Sequence, residues 1–250
     1  MFHQPHNTFG SHIYNTALYT DACYPSHFHK SFELLYAKQG SQTVFVKGMP
    51  YRLQKGDCCL VFPYEMHAFR VEQGSALFVS VFSGEYVPEL GAVAQEQSPA
   101  SPLFRPGEAL CDFLSARFFH TGTPEPYVLR AALYLLCGAF MEQATLVPRE
   151  KKDGLLLSII RYVEEHYREP ITERTVAAAL GYHEQYVSRV FRSVMQMNFR
   201  DLVNQYRLED ALARLKAGGV TVTQAALDSG FQSVRTFNRV RLSAEGKRML

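Results

Sequence analysis

The hydrophobic pattern of the chain changes its period along the sequence. Between about Ile13 and Phe82, short runs rich in β-branched and aromatic residues alternate with turn residues, which predicts strands. Runs at such short and regular spacing are typical of a small barrel or sandwich. Residues 83–104 combine three prolines with small polar residues and predict an irregular loop.

From Pro106 to Leu146 the apolar positions recur with a helical period. The resulting stripe fits two structures equally well, a helix packed on the barrel or a seam between two copies of the chain in a homodimer. The charged segment at 147–154 predicts a short linker, and the rest of the chain is helical throughout. The stripe consists of Val128, Leu129, Ala132, Leu133, Leu136, Ala139 and Phe140.

One turn pattern occurs twice in the last third of the chain. The first copy has Ala177, with Gly181 four residues later, and the second has Ala226 and Gly230 at the same offset. A small residue lets two helices cross closely, and a glycine accepts the positive φ of the turn between them. Thr172 precedes the first copy as a predicted N-cap. Two copies predict two helix-turn-helix units.

The stretch from Leu155 to Val240 resembles the DNA-binding domain of AraC/XylS-type transcription regulators. The resemblance is carried by IIRYVEEHY (159–167), by RLEDALARL (207–215) between the two turns, and by DSGFQSVRTFNRV (228–240). It implies a two-domain α+β protein. Residues 1–146 would form a cupin-like β-barrel followed by helices for ligand sensing and dimerisation, 147–154 a linker, and 155–250 an all-α domain whose two helix-turn-helix units are joined by a long helix.

The same resemblance implies a sequence-specific regulator that binds double-stranded DNA, responds to a small molecule, and works as a homodimer with RNA polymerase as a further partner. An α-helix fits the major groove, and Gln and Arg make bidentate bonds to base edges. In the helix predicted at 183–195, Val187 and Phe191 face the core, so the opposite face is free for DNA. The predicted DNA contacts are Gln185, Ser188, Arg189, Arg192, Arg235, Asn238 and Arg239.

The chain departs from the family pattern after Val240. Arg241 stands where the family has a buried aromatic residue, and the sequence continues as RLSAEGKRML. We therefore expect the DNA-binding domain to be incomplete after about residue 240, with a poorly packed second reading helix. An alternative function follows, a sensing and dimerising protein with impaired DNA binding.

Candidate chemistry in the first half centres on histidines. The segments HFHKSFELLYAKQG and GDCCLVFPYEMH resemble the two motifs of cupin barrels, which imply a divalent-metal set of His27, His29, Glu33 and His67. The second motif departs from that pattern, because Tyr64 replaces its glycine. We therefore expect no cofactor and a pocket for a hydroxylated or anionic metabolite, a sugar being one example, and the metal set is the alternative. The predicted lining of the pocket is His27, His29, Glu33, Tyr36, Arg52 and His67.

Composition narrows the protein class. Residues 1–148 hold nine Lys and Arg against twelve Asp and Glu, whereas residues 149–250 hold seventeen against twelve, which fits a sensor joined to a nucleic-acid binder. The five cysteines lack CxxC spacing, and the N-terminus lacks a signal-peptide pattern, so we expect a cytoplasmic protein with no membrane contact. No Ser-His-Asp set, P-loop or GxGxxG is present, which favours a regulator over the enzymatic alternative, a metal-dependent cupin.

Overall fold

A computed structural model describes residues 2–3, 13–195 and 197–248, and leaves out the side chains of 2, 3 and 245–248. The chain divides into two compact units, Met1–Arg149 and Glu150–Leu250. This boundary lies inside the segment predicted as a linker. Within the described helices, none combines the length and the apolar character needed to cross a membrane.

The first unit contains two five-stranded sheets and a two-stranded ribbon. Their orders are β1-β3-β8-β5-β6, β11-β7-β4-β9-β2 and β10-β12, and all pairs are antiparallel except β1 with β3. The strands are β1 (Phe2–His3), β2 (Tyr14–Thr20), β3 (Cys23–Phe28), β4 (Phe32–Gln39), β5 (Ser41–Val46), β6 (Met49–Gln54), β7 (Cys58–Val61), β8 (His67–Val71), β9 (Ala76–Phe82), β10 (Gln97–Pro99), β11 (Leu103–Phe104) and β12 (Leu146–Pro148).

Strand alternation gives this unit two cores. Successive side chains of β4 point to opposite faces, so Leu35 joins a core shared by both large sheets while Leu34 joins a second core on the outer face. Helices cover that outer face: α1 (Pro88–Glu96), α2 (Glu108–Ser115) and α3 (Pro126–Gln143). The predicted cupin-like β domain followed by helices is confirmed.

Two segments differ from the sequence-based expectation. Residues 83–104 contain a 3-10 helix at Gly84–Tyr86 and then α1, because Pro88 occupies the first helical turn, where its missing N–H costs nothing. The segment at 147–154 is not irregular either. Its first residues pair with β10 as part of β12, and its last four form the first turn of the next helix.

The α3 stripe packs inside the first unit. Leu129, Leu133, Leu136 and Phe140 are buried in the outer-face core, together with Ala132. The homodimer interpretation therefore does not apply to this face of α3. The opposite face remains exposed.

The second unit is all-helical, as predicted. Thr172 caps α5 by accepting a hydrogen bond from Thr175 N at 3.2 Å, which confirms its predicted role. The two helix-turn-helix units are α5 with α6 and α8 with α9, and α7 joins them. The helices are α4 (Lys151–His166), α5 (Glu173–Leu180), α6 (Glu184–Met195), α7 (Phe199–Ala217), α8 (Val222–Asp228) and α9 (Val234–Arg248).

Both turns have the geometry that their spacing predicts. Ala177 and Ala226 are fully buried in the first and second helix-turn-helix units. Gly181 has φ +74° and Gly230 has φ +91°, values that residues with a Cβ rarely adopt. The second reading helix is anchored by Phe237, which is fully buried, and α9 continues to Arg248.

Candidate functional sites

Three histidines converge on one carboxylate inside the first unit. The distances from Glu33 Oε2 are 3.0 Å to His29 Nε2, 3.4 Å to His67 Nε2 and 4.0 Å to His27 Nε2. All four residues are at most 2% exposed. One potential ligand atom from each lies within 4.8 Å of the others. The four residues of the predicted metal set are thus one buried cluster, hereafter the histidine cluster.

Backbone carbonyls set the orientation of each ring. His27 Nδ1 lies 2.9 Å from Pro25 O, His29 Nδ1 lies 2.9 Å from Ser31 O, and His67 Nδ1 lies 2.8 Å from Glu65 O. A carbonyl oxygen only accepts hydrogen bonds, so Nδ1 is the donor in these contacts of His27 and His67. His29 has an acceptor at each ring nitrogen, Ser31 O and Glu33 Oε2, and its neutral ring can donate to only one of them.

Burial and mutual charge determine the ionisation of the cluster. Burial lowers the pKa of His27 well below its ordinary value, and the neighbouring His67 adds to this effect. Burial also lowers the pKa of His29. Burial opposes ionisation of Glu33, but His67 and the hydrogen bond from His29 outweigh it and hold the pKa of Glu33 well below the ordinary range. The centre therefore combines an ionised carboxylate with neutral imidazoles at His27 and His29.

The hydrogen bonding of this centre is incomplete. Glu33 Oε1 and His67 Nε2 are buried and have no hydrogen-bond partner among the described residues. An unsatisfied buried polar atom costs about 1–3 kcal/mol. The cluster therefore leaves a carboxylate oxygen and a ring nitrogen available to a ligand.

The turn before β8 positions His67. The carboxylate of Glu65 accepts a hydrogen bond from Phe62 N at 3.2 Å and pairs with Lys47 at 3.0 Å. Tyr64 has φ +64°, the left-handed conformation, at the position where the cupin motif has glycine. The backbone at Tyr64 thus has a conformation that glycine adopts more readily than residues with a Cβ.

A cavity of about 260 Å³ in the first unit reaches this cluster through His27 and Glu33. Burial raises the pKa of Tyr19 to about 12, with contributions from Tyr24 and Glu33, so its hydroxyl stays protonated and can donate. One wall is aromatic and another carries polar side chains of β2. The lining consists of Asn15, Thr16, Ala17, Tyr19, Tyr24, His27, Glu33, Phe69, Val79 and Val81.

Of the six predicted pocket residues, only His27 and Glu33 line the cavity. His29 and His67 belong to the histidine cluster without lining the cavity, and the last two lie elsewhere. Tyr36 is three positions after Glu33 on β4, so strand alternation places it on the outer face, where it stacks on Phe119 with ring centroids 3.9 Å apart. Arg52 is an exposed residue of β6 that bonds Ser41 Oγ at 2.9 Å and Glu72 at 3.5 Å. Neither residue lines the cavity.

The α6 face carries the first set of predicted DNA contacts. Val187, Val190 and Phe191 are buried, which leaves the other side of the helix accessible. The guanidinium of Arg189 lies 5.4 Å from the ring centroid of Tyr186. A groove of about 640 Å³ brings the predicted residues together with two acidic ones. It is lined by Glu173, Glu184, Gln185, Ser188, Arg189 and Arg192.

The α9 face carries the second predicted set. Arg235, Asn238 and Arg239 are all exposed on this helix. Arg241 is partly buried and lies with its guanidinium 5.9 Å from the ring centroid of Phe237. It thus occupies the neighbourhood of the aromatic residue that the family pattern places there.

Sequence reasoning missed most of the cavity lining and part of the groove. In β2, Asn15, Ala17 and Tyr19 alternate and share one face, a period-2 signal that was available in the sequence. Glu173 reaches the α6 groove from the preceding helix, and no local pattern signals that proximity.

Family comparisons agree with both units. The family described as the AraC-like ligand binding domain matches residues 9–158, three fifths of the chain. A helix-turn-helix domain family matches residues 176–246.

Individual relatives cover either the second unit or the whole chain. Regulatory protein SoxS of Escherichia coli K12 is 31% identical over 86 residues, which is 34% of this chain and 80% of SoxS. The uncharacterized HTH-type transcriptional regulator YisR of Bacillus subtilis 168 is 22% identical over 238 residues, 86% of this chain and 83% of YisR.

A solved structure shares the whole fold. Wild-type ToxT from Vibrio cholerae strain SCE256, crystallised with an unsaturated fatty acid, aligns with a TM-score of 0.57 at 14% identity, over 94% of this chain and 92% of ToxT. This likeness concerns the fold alone. From the family match and the two units, the chain belongs to the AraC family of transcription regulators, with a cupin-like ligand-binding domain followed by a helix-turn-helix DNA-binding domain.

Proposed function

We propose that this regulator reads its operator chiefly with the exposed face of α6. The observation that carries the proposal is the groove in which Gln185, Ser188, Arg189 and Arg192 lie side by side. Gln185 and Arg189 contact base edges, because an amide pairs with adenine and a guanidinium with guanine in bidentate fashion. Arg192, one turn further along the helix, contacts phosphate.

The acidic residues of the groove contribute to selectivity. A carboxylate repels phosphate but accepts a hydrogen bond from the amino group of cytosine. Glu184 lies beside Gln185 at the start of α6, where the first turn of a reading helix meets bases. We assign Glu184 to this role, which sequence analysis alone did not include.

The α9 helix has a supporting role in DNA binding. Arg235, Asn238 and Arg239 are exposed on it and suit an adjacent major groove. Its helix-turn-helix unit has the smaller core. We therefore propose that α9 increases the affinity for DNA and the length of the bound site, and contributes less to base preference. Impaired binding by this unit remains the alternative.

The effector site is the cavity of the first unit. Its volume of about 260 Å³ suits a small molecule, and aromatic rings beside polar groups fit a hydroxylated metabolite such as a sugar. The Tyr19 hydroxyl donates to such a ligand and the Glu33 carboxylate accepts from it. An ionised Glu33 disfavours an anion, so the fatty acid in the ToxT crystal is no guide to this effector.

We further propose a homodimer that uses the exposed face of α3. Tyr127, Tyr134 and Met141 recur every seven residues and are exposed, Tyr127 by 82%. Ala131 and Gly138 lie between them and are also exposed. Apolar and small residues at alternating spacings of four and three form the seam of paired helices. A second copy of this chain is therefore the partner that fits this face.

The proposed activity is regulation in the cytoplasm and not catalysis. SoxS and YisR are both named as regulators, which supports this assignment. Contact with RNA polymerase follows from the family resemblance as a further proposal.

A salt titration of DNA binding tests the reading role. The full-length protein is titrated onto DNA upstream of its own gene and onto random DNA at several salt concentrations. We expect tighter binding to upstream DNA, and Gln185→Ala should remove most of that preference, whereas Arg161→Ala, an exposed arginine of α4, should not. Equal binding to both DNAs with a steep salt slope would mean phosphate contacts alone and would overturn the proposal.

A further inference from the structure

We propose that Tyr186 is a positioning residue for DNA reading, which holds the guanidinium of Arg189 in the orientation that a guanine edge requires. The inference rests on the reading role proposed for α6 and adds to it a residue that itself contacts no base. Its support is a row of three side chains, Tyr182, Tyr186 and Arg189, which begins in the turn and continues along α6.

The row follows from helical spacing. Tyr186 and Arg189 are three residues apart on α6, an interval at which side chains of one helix are neighbours. The guanidinium carbon of Arg189 lies 5.4 Å from the centroid of the Tyr186 ring, within the distance of about 6 Å at which a ring attracts a cation. The rings of Tyr182 and Tyr186 have centroids 5.7 Å apart and an interplanar angle of 33°. Tyr182 therefore restricts Tyr186, and Tyr186 restricts Arg189.

The row leaves the hydrogen-bonding groups of Arg189 free for DNA. Tyr186 is partly buried, one turn before the buried Val190, so packing limits the movement of its ring. Arg189 is exposed, and among the described residues no carboxylate pairs with it, although Glu173 and Glu184 line the same groove. The guanidinium is therefore held by a ring that occupies none of its N–H groups as an ion-pair partner does.

An ordered arginine reads a base better than a mobile one. Fixing a long side chain at an interface costs affinity, because its rotational freedom is lost on binding. A guanidinium that is ordered before binding loses less. Its two parallel hydrogen bonds to O6 and N7 of guanine also require one orientation of its plane. Tyr186 therefore raises the preference for that base through Arg189, whereas a phosphate contact demands no such precision.

The second reading helix lacks this arrangement. Thr236 stands three residues before Arg239, at the offset where α6 has Tyr186 before Arg189. Threonine offers no ring to a guanidinium. The contrast between the two helices agrees with the supporting role proposed for α9.

The test compares two variants of the full-length protein. Tyr186→Phe keeps the ring, whereas Tyr186→Leu removes it and keeps an apolar side chain at this partly buried position. The readout is the ratio of affinities for the preferred DNA site and for the same site changed at the base pair whose preference Arg189→Ala relaxes. We expect Tyr186→Leu to lower this ratio about 2- to 5-fold, the size of an exposed cation–π contact, and Tyr186→Phe to retain most of it. An equal loss in both variants would assign the effect to the hydroxyl and overturn the proposal.

Controls separate positioning from a general loss of folding. Tyr162→Leu, which changes a partly buried tyrosine of α4, should leave the ratio unchanged, and Tm is measured for every variant. In the Arg189→Ala protein, Tyr186→Leu should have no further effect on the ratio, because a positioning residue acts only through the arginine. An undiminished effect in that background would contradict the proposal.

The outcomes distinguish this inference from the proposed function on which it rests. If Arg189→Ala relaxes the preference at no position, the reading role of α6 is wrong, and the positioning role with it. If Arg189→Ala lowers the ratio while Tyr186→Leu does not, only the positioning role is wrong. NMR of the DNA-free protein tests the contact itself. The ring current should shift the side-chain signals of Arg189 in the wild type and in Tyr186→Phe, and the same signals in Tyr186→Leu would refute the contact.

Discussion

The two helix-turn-helix units share one plan but differ in how they are supported. Each has a buried alanine, a left-handed glycine and a capping box, formed by Thr172 with Thr175 in the first and by Thr221 with Gln224 in the second. The first helix-turn-helix unit is covered by α4, which packs on both α5 and α6. The second helix-turn-helix unit packs chiefly on α7 and also contacts Arg168, just after α4. Leu227 and Leu242 remain 50% and 62% exposed.

This difference shows that motif spacing determines a turn but not the stability of the unit around it. The core of the second helix-turn-helix unit has six buried residues, among which only Phe231 and Phe237 are aromatic. In the first helix-turn-helix unit, Phe191 packs against Phe199 of α7 as well as within its own pair of helices. We therefore expect the second helix-turn-helix unit to unfold locally more readily than the first helix-turn-helix unit.

The largest effect should come from Phe237→Ala, which removes the anchor of α9. A buried Phe→Ala change costs about 3–5 kcal/mol of unfolding free energy, and here few neighbours remain to compensate. Hydrogen exchange should show loss of protection across α8 and α9 while α4–α6 keep theirs. Phe191→Ala, the control, should instead deprotect α5 and α6. If both variants lost protection uniformly across α4–α9, the two helix-turn-helix units would unfold as one.

The two turn glycines should differ in their tolerance of alanine. At Gly181 nothing lies within 4 Å of an added Cβ, so Gly181→Ala should cost only the left-handed backbone, about 1–2 kcal/mol. At Gly230 the Cβ would lie 2.6 Å from Arg168 O, and this overpacking should add about 1–3 kcal/mol. Urea unfolding of both variants measures the difference. Equal costs would contradict the close contact between Gly230 and Arg168, just after α4.

Asp210 on α7 forms two ion pairs within the helical domain and gives a pH-dependent prediction. It accepts from Arg168 at 2.8 Å and from Arg214 at 3.0 Å. Burial opposes its charge, but the two guanidinium groups outweigh burial and lower the pKa of Asp210. Asp210→Asn should therefore cost about 1–3 kcal/mol at pH 7.

A lowered pKa in the folded state means that this stabilisation is present above the ordinary Asp pKa of about 3.9 and is lost as pH falls through the folded value. The difference in unfolding free energy between wild type and Asp210→Asn should stay constant from about pH 8 to 5 and shrink below about pH 4. Asp228→Asn, an exposed residue 4.0 Å from Arg214, should cost less than about 0.5 kcal/mol. A difference that grows on acidification would contradict the lowered pKa.

The sequence predicted the parts of the fold that depend on local patterns. Period-2 runs predicted the strands, and Gly181 and Gly230 marked both turns, because glycine is the residue that accepts positive φ. The histidine cluster was found because its members recur at motif spacing. Packing partners were harder to predict, since the apolar stripe of α3 fits a barrel or a second chain equally well until the sheet beneath it is known.

The predicted site residues show a similar limit. Tyr36 lies three residues after Glu33 on the same strand and Arg52 lies on a different strand, and both are outside the cavity. Counting the strand period from Glu33 would have excluded Tyr36, whereas Tyr24 and Phe69 come together only through the pairing of β3 with β8. Residues brought together by strand pairing leave no signal within a single segment.

Base preference measured with Arg189→Ala tests the central claim, that α6 is the principal reader. The wild type, Arg189→Ala and Arg239→Ala are each used to select binding sites from randomised DNA, and affinities are then measured at one fixed salt concentration. Arg189→Ala should lose about 1–3 kcal/mol of binding free energy and relax the preference at one base position, and Arg239→Ala should lose less with its preferences retained. A loss for Arg189→Ala that is uniform across all sequences, with a salt slope smaller by about one, would make Arg189 a phosphate contact and contradict the claim.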